Sequence, residues 1–77
     1  MNYNNTTKRG MTNNLKIQRV TNQLTQEELA KKAGTTRQTI HAIETGKFTP
    51  ATDLAMRIAE VFGKTVEQIF QLAVNIE

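Results

Sequence analysis

Arg37 and Gln38 stand side by side, and Thr39 and His41 follow within one helical turn. The guanidinium carries five donors in a rigid fork, the primary amide both donates and accepts, and the neutral imidazole does one of each. This set suits recognition of base edges: Arg37 can give two hydrogen bonds to guanine, Gln38 can pair bidentately with adenine, and Thr39 can touch a thymine methyl or a phosphate. On a helix, Arg37, Gln38 and His41 lie opposite Ile40 and Ile43, so the polar groups project outward together. Chemistry of other kinds finds no support. His41 is the only histidine and cysteine is absent, which leaves no metal-ligand spacing to work with. No Gly-rich phosphate loop, paired carboxylate or nucleophile motif occurs, so an enzyme is rejected and no cofactor or small-molecule ligand is expected.

Presenting such a tip requires a short, well-bounded helix braced by its neighbours. Thr36 caps the segment, which is expected to run from about Arg37 to Thr45 and to stop at Gly46. Before it, Thr25-Gln26-Glu27-Glu28 is a capping box that opens a second helix, with Leu29, Ala30 and Ala33 as its apolar stripe and Gly34 as its stop. Only Gly34 and Thr35 separate that helix from the Thr36 cap, and a tight Gly-containing turn of this kind sets two short helices at a large angle: a helix-turn-helix. Upstream, a first helix is expected from about Asn14 to Asn22, capped by Asn13 or Asn14 and carrying Leu15, Ile17 and Val20. Downstream, Pro50 suits the first turn of a fourth helix with the stripe Leu54, Ala55, Ile58, Val61 and Phe62, closed by Gly63. Thr65 and Gln68 then form another capping box, with Val66, Ile69 and Phe70 starting a fifth helix.

Two readings stand for the end of the chain. Apolar residues at 70, 72, 74 and 76 alternate as in a half-buried strand, whereas a longer fifth helix would bury Phe70, Ala73 and Val74. The period of two favours the strand, and the segment around Met11 to Asn14 is the candidate partner for its edge. Residues 1–10 are polar, and residues 1–11 read as a disordered tail, with Lys8 and Arg9 as a candidate minor-groove arm.

At 77 residues the chain has room for one core, and a domain of this size buries only roughly 60% of its unfolded surface. With no disulfide to staple it, close helix packing or a partner subunit must make up the difference. No transmembrane stretch or signal-peptide core is present, so a cytoplasmic protein without membrane contact is expected. The net charge of +3 is unevenly spread. Lys16, Arg19, Lys31, Lys32, Arg37 and Lys47 outnumber Glu27, Glu28 and Glu44 in the middle of the chain, while acidic groups outnumber basic ones beyond residue 50. A polyanion would meet the middle and be repelled by the far end.

The run from Leu24 to Pro50 strongly resembles the Xre/Cro/CI family of helix-turn-helix regulators, through Thr25-Gln26, Glu28-Leu29-Ala30, Gly34, Arg37-Gln38-Thr39-Ile40, Ile43-Glu44 and Gly46-Lys47; the likeness extends from about Leu15 to Phe70. The resemblance implies an all-α, five-helix lambda-repressor-like domain over residues 12–77, with a two-stranded β-ribbon from the chain ends as the remaining option. It implies further that Gln26 touches a phosphate, that Lys47 and Thr49 lie along the backbone with Lys16 as a weaker contact, and that Arg19 and Glu44 form a structural ion pair. Thr35, Gln18 and Thr52 depart from the family's usual apolar choices, and Val20 is expected to compensate for Gln18. The function this implies is a sequence-specific, double-stranded DNA-binding repressor acting as a homodimer; Phe70, Leu72 and Val74, apolar residues that a monomer this small would leave wet, are expected in the dimer contact. A protein-interaction module, such as an antitoxin or coactivator-like subunit, is the alternative.

Overall fold

In the computed structural model, which describes residues 10–73, the elements run β1 (Met11–Asn13), α1 (Leu15–Thr21), α2 (Gln26–Ala33), α3 (Arg37–Glu44), α4 (Thr52–Phe62), α5 (Val66–Ile69) and β2 (Phe70–Leu72). The two strands pair antiparallel, Met11 opposite Leu72 and Asn13 opposite Phe70, so the ends of the described chain meet in a small ribbon. That settles the choice for residues 70–72 in favour of the strand. β1 already takes in Met11; Lys8, Arg9, Val74 and Ile76 lie outside the described residues.

Each helix boundary has a local cause. Thr25 accepts a hydrogen bond from the Glu28 amide while the Glu28 carboxylate accepts from the Thr25 amide, closing the capping box of α2. Thr65 and Gln68 do the same for α5. Gly34 ends α2 at φ 73, in the left-handed region where a Cβ is costly, and the following amide of Thr35 bonds back to Ala30. At α1 the Asn14 side chain makes no cap bond, and it is Asn13 Oδ1 that accepts from the Leu15 amide.

Pro50 does not enter α4, which begins at Thr52 behind Ala51. α5 is a single turn, because Phe70 takes up extended backbone and feeds directly into the ribbon. On α1 only Leu15 is buried, whereas Ile17 and Val20 are exposed. At about 100° per residue they sit roughly 200° and 140° round from Leu15, and the inward side goes instead to Gln18 and Arg19, both half-buried. Val20 therefore does not compensate for Gln18.

Leu15, Leu29, Ile40, Ile43, Ile58 and Ile69 are fully buried and draw α1 to α5 around one core. Ala30, Ala33, Ala55 and Ala59 let the helices approach closely within it. Phe70, expected in a dimer contact, belongs to this core at 5% exposure. Its place at the junction of α5 and β2 turns the ring inward; Leu72 shares that face of the strand by the period of two yet is exposed, as is Gln71.

Two carboxylates are held below their ordinary range: Glu28 by its bond from the Thr25 backbone and Asp53 by its bond from Arg57. Stability from both groups is present above the unfolded-state pKa and is lost as pH falls through the lowered folded-state value. Thermal melts from neutral down to about pH 2 should therefore fall less steeply for a Glu28→Gln/Asp53→Asn variant than for the wild type, since a glutamine in the capping box keeps its hydrogen bond without titrating. Phe70→Ala should cost roughly 3 to 5 kcal/mol in urea denaturation through the cavity it leaves. Leu72→Ser in dilute protein should stay within about 0.5 kcal/mol.

Candidate nucleic-acid interface

The outer face of α3 is built from its cap upward. Thr36 Oγ1 accepts from the Thr39 amide at 3.2 Å and lies 2.9 Å from Thr39 Oγ1. Thr39 thus has its hydroxyl engaged in the cap and is half-buried. Arg37 and Gln38, in the same first turn, are exposed and make no side-chain hydrogen bond or ion pair among the described residues. Ile40 and Ile43, on the opposite face, are both at 0% exposure. A helix so divided offers a guanidinium and an amide to whatever approaches, on a backbone that its buried face holds still.

The other end of α3 is tied down by a chain of polar contacts. Arg19 of α1 donates from Nε to Glu44 Oε2 at 2.6 Å and from Nη2 to Oε1 at 3.2 Å, while its Nη1 reaches the carbonyl of Leu24 at 2.8 Å. The two side chains retain only 12% and 3% of their exposure. Gln26 of α2 donates from Nε2 to Glu44 Oε1 at 3.0 Å, and the same nitrogen lies 3.4 Å from His41 Nδ1. One carboxylate therefore joins three helices. Gln26, expected at a phosphate, has its amide nitrogen engaged within the domain, with Glu44 and His41.

Further tethers were not legible from residue types. Asn13 Nδ2 donates to the Ile43 carbonyl at 3.0 Å, satisfying a C-terminal carbonyl of α3 from β1. Arg57 of α4 donates from Nε to the Ala33 carbonyl at 2.8 Å and from Nη1 to Asp53 at 2.9 Å, bracing the end of α2 beside the turn. A capping Asn before an apolar run was a usable signal for Asn13, but nothing in the sequence gives either side chain its distant partner.

After Gly46, Lys47, Phe48 and Thr49 are all exposed, and the Lys47 amide bonds back to Ala42 at 2.9 Å. The backbone of Lys47 thus follows directly on the far end of α3. Lys16 is exposed on α1, alongside Ile17, Val20 and Thr21 rather than among the contacts of α3. Among the described residues no group of three metal-ligating side chains occurs, and no helix is long and apolar enough to cross a membrane.

Against known proteins, the family model described as Helix-turn-helix matches residues 15–69. An uncharacterized HTH-type transcriptional regulator of Methanocaldococcus jannaschii is 55% identical over 60 residues, covering 78% of this chain and 91% of the relative. The HTH-type transcriptional regulator YgzD of Bacillus subtilis is 39% identical over 62 residues, covering 80% of this chain and 94% of its own. Among solved structures, a Bacteroides fragilis protein described as a candidate DNA-binding protein aligns with a TM-score of 0.71 and 26% identity, over 79% of this chain and 98% of that one.

The three-helix carboxylate makes a strong demand on stability. Arg19→Ala would strand the buried Glu44 charge and should cost roughly 3 to 5 kcal/mol in urea denaturation. The paired replacement Arg19→Met/Glu44→Leu should recover most of that loss, because no charge is then left without a partner. A melt for Arg19→Ala that matches the wild type would show the pair to be without structural consequence.

Proposed function

The chain belongs to the helix-turn-helix family, and on that premise we propose that it is a sequence-specific DNA-binding transcriptional regulator, a cytoplasmic homodimeric repressor that inserts α3 into the major groove. The observation that carries this reading is the division of α3. Arg37 and Gln38 are exposed and without internal partners among the described residues, while Ile40 and Ile43 anchor the helix from behind. The first turn of a recognition helix is the part that meets base edges, and this first turn holds the two side chains best suited to guanine and adenine. Lys47 and Thr49, in the loop that follows the other end of α3, hold phosphates, with Lys16 a more distant contributor. The repressor name of the proposal rests on occlusion: a domain bound across a promoter excludes other proteins from it.

The dimer forms at the ribbon. Met11 and Leu72 face each other in register, at 40% and 56% exposure, and leave an apolar pair at the surface on the side of the domain formed by the chain ends. Burying that pair against its counterpart in a second copy gives an isologous contact, with Val74 following close behind Leu72 in sequence. Two recognition helices would then have to lie about 34 Å apart to enter successive turns of one DNA face.

The two kinds of contact separate in a fluorescence anisotropy series on a selected operator and a scrambled duplex. Arg37→Ala should lose about 1 to 3 kcal/mol on the operator and much less on the scrambled duplex, because a base contact is removed. Lys47→Ala should weaken both duplexes alike and flatten the slope of log K against log salt by roughly one unit per subunit. If wild-type protein binds neither duplex at low salt, the DNA-binding reading falls, and the exposed Ile17 and Val20 become the starting point for a protein-interaction module. Leu72→Ser should shift sedimentation from dimer to monomer; an unchanged dimer would place the contact elsewhere.

A further inference from the structure

His41 stands one turn beyond Arg37 on α3, exposed, and its ring has one contact among the described residues, that of Nδ1 with Gln26 Nε2. Which ring nitrogen bears the proton decides what an imidazole can read, since the neutral ring offers one donor and one acceptor. Here the orientation of Gln26 determines the answer.

The orientation is established from the core outward. Arg19 holds both oxygens of Glu44, so the carboxylate cannot turn. Glu44 Oε1 then sits 3.0 Å from one end of the Gln26 amide, and a carboxylate oxygen accepts only, so that end is the NH2 group. Of its two hydrogens, one goes to Glu44 and the other faces His41 Nδ1 at 3.4 Å. A nitrogen facing an amide N–H must be the acceptor, which leaves the ring proton on Nε2 at the outer edge.

We propose that Gln26 is a positioning residue that fixes His41 in its Nε2–H form, so that the surface of α3 presents a hydrogen-bond donor at this position. The inference rests on the reading of α3 as the groove-entering helix and names what His41 does there. A donor matches acceptors: guanine N7 and O6, adenine N7 or thymine O4. It has no partner on cytosine, whose major-groove edge shows only the N4 amine. His41 therefore selects against cytosine on the strand it faces and favours guanine, where two acceptors lie side by side. Gln26 contributes to sequence preference without touching DNA.

Because the chain has a single histidine, its ring nitrogens can be read without ambiguity in long-range proton–nitrogen correlation spectra of the full-length, nitrogen-15-labelled protein, recorded above the imidazole titration. Wild type should show one neutral form with the proton on Nε2. Gln26→Leu should relax this to a mixture of both forms. A wild-type proton on Nδ1, or identical ring spectra for the two proteins, overturns the proposal. These spectra need no DNA, so they decide the tautomer even if no duplex is bound, an outcome that would remove the DNA-binding reading instead. The base preference is read by selecting duplexes from a random library with wild type and Gln26→Leu. At one operator position the bias against cytosine should fall about tenfold in the variant, the loss of one hydrogen-bonded pair, while the Arg37-dependent position keeps its bias. An equal loss at every position marks Gln26 as a general brace and overturns the proposal.

Discussion

The carboxylate of Glu44 is the point on which the arrangement of helices turns. It is at 3% exposure, and a carboxylate so placed without donors would be very costly. What makes it tolerable is that Arg19 and Gln26 supply donors to both oxygens. Those donors come from α1 and α2, so the price of burying one charge is that three helices must be in register at once. Apolar contacts cannot impose that condition. Ile40 and Ile43 gain nearly as much from a helix shifted by a fraction of an ångström, whereas a bidentate pair has a narrow angular optimum. In a domain this small the net stabilisation from such a pair is modest, and its larger effect is on which packing is chosen.

Sequence reasoning was most successful where structure is decided within four residues. Thr25 with Glu28, Thr65 with Gln68, and Thr36 before α3 are local hydrogen-bonding devices whose partners lie one turn away, and each stands where its pattern placed it. Gly34 is likewise a local matter of φ. The alternation at residues 70–72 also carried enough information to favour a strand over a longer helix. The helix-turn-helix itself follows from two such local signals set only two residues apart.

What could not be read depends on distant partners. Ile17 and Val20 have the composition of a core stripe, yet α1 turns Gln18 and Arg19 inward because Arg19 has Glu44 to meet. The tertiary ion pair overrides the hydrophobic pattern of a seven-residue helix. Phe70 looked like one of a row of alternating residues in a half-buried strand, but the row begins directly after buried Ile69 at the end of α5, and its first member joins the same core. Gln23 adopts φ 59 with no glycine to announce it, because the Gln23 and Leu24 amides bond back to Val20 and Arg19 and close α1 tightly. That closure places the Leu24 carbonyl where Arg19 Nη1 can reach it, so the strained residue serves the same ion pair. Asn13 and Arg57 belong with these cases, each reaching a carbonyl more than twenty residues away.

The tethers of α3 are also unequally distributed along its length, and this bears on function. Its C-terminal half is held by Glu44, by the contact of His41 with Gln26, and by Asn13 on the Ile43 carbonyl. Among the described residues, its N-terminal turn has polar contacts only from its own cap, through Thr36 and Thr39. A helix fixed at one end by directional bonds and along its back by Ile40 and Ile43 has little freedom left at the other end, since eight residues of α-helix form a rod of about 12 Å. The first turn can therefore be positioned without the side chains of Arg37 and Gln38 being used for the purpose. Arg37 and Gln38 keep their full complement of donors and acceptors for an external partner because residues elsewhere carry out the positioning. Moving the bracing away from the tip is the physical condition for a small domain to be both rigid and unsaturated where it makes contact.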